Sequence, residues 1–75
     1  MTKFPAYTDK EILKKLRKLG FVFERQAKGS HEFWVNSEKH QRVMVPRHAG
    51  KTLSRKTTKG IIEITGKTVE GFVKL

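Results

Sequence analysis

The spacing of apolar positions along the chain changes from helical to alternating and back again. Ile12, Leu13, Leu16 and Leu19 recur at the interval of one helix face, with Lys10, Lys14, Lys15, Arg17 and Lys18 filling the others. Thr8-Asp9-Lys10-Glu11 reads as a capping box that starts this helix, and Gly20 ends it. Residues 21–26 then predict a first strand, with Phe21 and Phe23 on one side and Val22 on the other. Two more strands are expected over about 30–35 and 41–45, joined through Asn36-Ser37-Glu38-Lys39-His40-Gln41 and stopped by Pro46, which has no amide donor. In the third strand Val43 and Val45 are expected to face the core, and Arg42, Met44 and Pro46 the other way. In the second, Phe33 is expected in the core and Trp34 partly exposed. Helical spacing returns after Gly50. Leu53 turns inward, and a helix runs from about Ser54 through Ile61, Ile62 and Ile64 to Gly66, although Gly60 and the β-branched isoleucines give it poor intrinsic propensity. Val69 and Phe72 mark a last helical turn.

This order, α-β-β-β-α, predicts an α+β fold of two layers, a three-stranded antiparallel sheet with helices on one face. Residues 1–75 leave room for one domain with one small core, so any site is expected on the surface or in a shallow groove. Cysteine is absent, which excludes disulfides, thiolate zinc sites and cysteine nucleophiles. The N-terminal residues lack the apolar core of a signal peptide, and no apolar run approaches the roughly 18 residues of a membrane span, so a soluble, cytoplasmic protein is expected. Charge changes the picture most. With 17 Lys plus Arg against 7 Asp plus Glu, the formal net charge is +10. Such a surface attracts polyanions, nucleic acid first, because each neutralised phosphate releases condensed counterions. A membrane fits less well, since the basic residues do not form one amphipathic helix. An acidic protein partner fits equally.

His31 opens the second strand. A side chain at a strand end can be held by the sheet and still reach solvent, the placement of a catalytic or binding residue. The remaining histidines, His40 in the hairpin turn and His48 after the third strand, form no zinc pattern with it, and no metal or cofactor is expected.

Gly29-Ser30-His31, the run Arg42-Val43-Met44-Val45-Pro46-Arg47-His48, Gly50-Lys51-x-Leu53 and Gly66-x-x-Val69-Glu70-x-Phe72 together resemble the HicA-type, or YcfA-like, toxins of HicAB toxin-antitoxin systems. The resemblance covers nearly the whole chain. It implies a fold similar to a double-stranded RNA-binding domain, an mRNA interferase activity, a catalytic histidine at His31, and silencing by a HicB-type antitoxin.

RNA cleavage without metal needs a base for the 2′-hydroxyl, an acid for the leaving 5′-oxygen and positive charge at the phosphate. On this reading His31 transfers the proton, Ser30 and His48 are candidates to assist catalysis or orient the phosphate, and Lys28, Arg42, Arg47 and Lys51 bind RNA phosphates. Trp34 is a candidate to stack on unpaired bases of single-stranded mRNA. The antitoxin is expected to be acidic and to cover the same groove. A non-catalytic basic RNA-binding module is the alternative, and only His31 at its strand end favours chemistry over binding.

Overall fold

A computed structural model of the chain describes residues 6–75. Residues 1–5, part of the segment expected to carry no signal peptide, lie outside the described residues. The elements are α1 (Asp9–Lys18), β1 (Val22–Gln26), β2 (His31–Asn36), β3 (Gln41–Pro46), α2 (Arg55–Thr65) and α3 (Val69–Val73). The strands form one antiparallel sheet in the order β1-β2-β3. No helix among the described residues is long and apolar enough to cross a membrane.

Local chemistry sets the boundaries. The Thr8 backbone amide donates to the Glu11 carboxylate at 2.8 Å, and the Glu11 amide donates back to the Thr8 hydroxyl, completing the capping box. Gly20 takes φ +95° just beyond the Leu19 cap. Asn36, buried at the end of β2, donates from Nδ2 to the Leu19 carbonyl at 3.0 Å and so fastens the sheet to the end of α1. Ser54 caps α2 and Gly66 ends it in the left-handed region at φ +78°.

Ile12, Leu13 and Leu16 from α1 meet Trp34, Val43 and Val45 from one face of the sheet and Ile61, Ile62 and Phe72 from the other helices. Packing of these side chains, more than intrinsic propensity, holds the isoleucine-rich α2 in place. The Lys15 ammonium donates to the Val73 and Leu75 carbonyls, at 3.1 Å each, and ties α3 to α1.

Val43 and Val45 face the core as expected, but the assignment in β2 is reversed. Trp34 is buried, at 5% exposure, and Phe33 lies on the uncovered face. Phe21 and Phe23 share the side of Trp34 and Val22 takes the other, as expected: Phe21 is buried, and Phe23, on the outer strand β1, is half exposed and sets its ring edge against Trp34 with the centroids 5.9 Å apart. The helices cover the β2–β3 side of the sheet and leave β1 at the rim.

Thr58 carries a buried hydroxyl with no hydrogen-bond partner among the described residues. A buried unpaired hydroxyl costs desolvation that an apolar side chain of the same shape avoids. Thr58→Val should therefore raise unfolding stability by about 1 kcal/mol, read from chemical denaturation midpoints at unchanged slope. A less stable variant would show that the hydroxyl is satisfied in solution.

Candidate functional site: a basic groove at the end of β2

The site is built where β2 begins and β3 ends. His31 pairs with Pro46 across the sheet, and the Arg47 amide continues that pairing by donating to the Ser30 carbonyl at 2.6 Å. The chain then turns through Gly50, at φ +75°, and returns beside α1, where the Leu53 amide donates to the Tyr7 carbonyl at 2.8 Å and Thr52 bridges Thr8. His31, Pro46, His48, Lys51, Ser54 and Thr57 thus come to line one groove of about 250 Å³.

His31 has a defined orientation. Its Nδ1 lies 3.1 Å from the Lys28 carbonyl oxygen. A carbonyl only accepts, so in the neutral ring Nδ1 carries the proton and donates, which leaves the Nε2 lone pair as the basic site. The Ala27 amide, donating to the His31 carbonyl at 2.8 Å, fixes the same turn.

The far side of the groove is the N-terminal end of α2. The Ser54 hydroxyl oxygen accepts the Thr57 amide at 3.1 Å, and the first turn holds no acidic residue while Arg55 and Lys56 stand in it. The helix dipole makes such an end favourable to anions, and Lys51, which lines the groove, adds a full charge. A phosphate placed here would face an imidazole base on one side and positive charge on the other.

Of the sequence-predicted residues, His31, His48 and Lys51 are brought together. Lys28 and Ser30 are exposed in the turn that precedes His31, Lys28 supplying the carbonyl that orients the ring. Three are placed elsewhere. Trp34 points into the core on the opposite face from His31, so its ring is not available to stack on bases; its Nε1 donates to Glu32 Oε1 at 3.0 Å. Arg42 lies on the uncovered sheet face, pairing through Nε with Glu24 at 2.9 Å and resting over the Phe33 ring at 4.0 Å.

Arg47 has carboxylate partners within the fold. Its Nε donates to Asp9 Oδ2 at 2.6 Å and its Nη1 to Glu32 Oε1 at 2.9 Å, so the guanidinium expected on RNA phosphate is committed inside the protein. Asp9 is almost wholly buried at the start of α1. The Arg47 hydrogen bond is the largest influence on its carboxyl and holds it below the usual carboxylate range; the same bond raises the guanidinium further. Arg47 therefore joins α1, through Asp9, to β2, through Glu32, between His31 and His48, and contributes to the site by holding it. Thr57 and Glu32 are not singled out from sequence, and Ser54 is read there only as the approximate start of a helix.

A family model described as HicA toxin of bacterial toxin-antitoxin matches residues 10–67. No curated protein matches the chain.

Proposed function

The chain belongs to the HicA toxin family of bacterial toxin-antitoxin systems, and on that premise we propose that it is a metal-independent endoribonuclease acting on single-stranded stretches of mRNA. The observation that carries this reading is His31, its Nδ1 taken by a carbonyl and its Nε2 left for chemistry, in one groove with His48, Lys51 and the positive end of α2. Nε2 takes the proton of a ribose 2′-hydroxyl as the 2′-oxygen attacks the adjacent phosphorus. The bond from phosphorus to the 5′-oxygen breaks, and the leaving oxygen takes a proton from the His48 imidazolium or from the His31 ring just protonated. The products are a 2′,3′-cyclic phosphate and a free 5′-hydroxyl. Lys51 and the α2 amides stabilise the charge on the non-bridging oxygens through the transition state. Incubation of the purified protein with single-stranded RNA, with and without chelator, tests the reading. Chelator-resistant cleavage leaving cyclic phosphate ends supports it, and intact RNA that is merely bound supports the non-catalytic module.

RNA affinity should fall steeply with salt. Each phosphate contact contributes about 0.7 to the slope of log affinity against log salt on a single strand, so Lys51→Gln and Lys28→Gln should each flatten that slope by about that amount. An affinity independent of salt would remove the basic groove as the RNA site.

Family membership implies an antitoxin partner. We propose that it is an acidic protein of the HicB type that covers the groove and meets Lys51, since a shallow groove on a +10 surface suits occlusion by a complementary protein. RNA and antitoxin should then compete, and simultaneous binding without loss of either affinity would exclude occlusion.

A further inference from the structure

The uncovered face of the sheet is composed unlike a solvated surface. Phe33 is its centre, with the Arg25 guanidinium 4.7 Å and the Arg42 guanidinium 4.0 Å from the ring centroid. Around them Val22 is 59% and Met44 46% exposed, and Val35 stands opposite Val22. Met44 is the direct cross-strand partner of Phe33. A guanidinium lying over a ring presents its other plane outward, and such planes, like aromatic faces, are surfaces on which unpaired bases stack. Glu24 engages Arg42 through Nε, which holds the group over Phe33 and occupies part of the edge that a carboxylate from another protein would need. Arg25 has no carboxylate partner among the described residues.

This face is continuous with the groove. His31 and Phe33 are alternate residues of β2, so their side chains leave the same side of the sheet about 7 Å apart. That is close to the length of one extended nucleotide. A strand with its reacting phosphate at His31 therefore has its neighbouring base over Phe33 and its next phosphates within reach of Arg25 and Arg42. We propose that Phe33, with the Arg25 and Arg42 guanidiniums layered on it, is a base-stacking platform that binds the nucleotides of single-stranded RNA flanking the bond cut at His31. The proposal deepens the ribonuclease reading and rests on it. It makes the identity of the flanking base, read by stacking strength, a contributor to cleavage preference.

The test uses the full chain and a single-stranded 2′-O-methyl RNA carrying 2-aminopurine, which lacks the attacking hydroxyl and remains intact. Binding should quench the 2-aminopurine fluorescence, and Phe33→Leu and Arg25→Gln should each weaken affinity about fivefold or more and reduce the quenching. Arg25 is exposed, so its variant keeps the test decisive if Phe33→Leu fails to fold. Unchanged affinity and quenching in a folded variant would overturn the platform, as would variants that lose antitoxin binding while holding RNA normally, which would assign the face to a protein. Cleavage of ordinary RNA, followed in parallel, separates the two readings. Cleavage that the variants leave untouched removes the platform and keeps the ribonuclease; quenched binding without any cleavage removes the ribonuclease and keeps the platform.

Discussion

His31→Ala should lower RNA cleavage by about a hundred- to ten-thousand-fold, the range for losing a positioned acid or base, while the protein still folds. The backbone bonds that shape the site, Ala27 to His31 and Arg47 to Ser30, do not involve the imidazole and persist in the variant. Alanine removes the hydrogen bond from Nδ1 to the Lys28 carbonyl, which is worth about 1 kcal/mol. His31→Asn sharpens the test, because an asparagine amide can donate to the same carbonyl from nearly the Nδ1 position but has no base where Nε2 stood. If His31 acts by chemistry, asparagine restores the stability that alanine forfeits and none of the cleavage. If asparagine restores cleavage as well, the histidine orders the turn and the base lies elsewhere. Growth inhibition on expression should follow cleavage in both variants.

The parts of this site that were legible in the sequence are those fixed by local chemistry. Thr8 and Glu11 cap α1 through hydrogen bonds within one turn, Gly20 and Gly66 end helices at positive φ, and Ser54 starts α2, so each boundary depends only on near neighbours. His31 was legible as a strand-end residue for the same reason. The phase of β2 was not. Alternation divides the strand into Phe33 with Val35 and Trp34 with Asn36, and apolar content favours the first pair for the core. The fold chooses the second because both polar groups find distant or same-face partners: Asn36 bonds the Leu19 carbonyl and the Trp34 indole bonds Glu32. Once their hydrogen bonds are satisfied, the larger Trp34 ring fills the space under Arg17, whose guanidinium lies 5.0 Å from it. The displaced Phe33 then becomes the centre of the open face. The structural partner of Arg47 was hidden for a related reason, since the carboxylate that claims it is Asp9, separated by 38 positions. A basic residue beside a candidate active site looks like a phosphate ligand until the fold brings an acid to it.

That pairing leads to the largest expected effect on stability. Arg47→Met keeps much of the apolar stem but removes the charge, and should destabilise the fold by about 3 kcal/mol at neutral pH, the low end for breaking a buried ion pair because the arginine side chain is 29% exposed. The loss arises at Asp9, whose carboxylate would stay buried at the start of α1 without its counter-charge. The pH dependence identifies the cause. In the native protein Asp9 is held below its ordinary range, first by the Arg47 hydrogen bond. Its contribution is therefore fully present above the ordinary aspartate pKa near 3.9, and is lost as pH falls through the depressed value of the folded state. In Arg47→Met the same carboxyl is buried with the Lys10 amide at 2.8 Å but without the arginine, so protonating it relieves much of the penalty. The difference in stability between the two proteins should be greatest near pH 7 and shrink as the solution is acidified through the carboxylate range, measured by denaturant unfolding at each pH. A difference that stays constant would place the effect in packing around the arginine stem. RNA cleavage should fall in the folded fraction as well, because Arg47 adjoins His48 in sequence and bonds Glu32 beside His31, and a site built from two segments of chain needs both held in register.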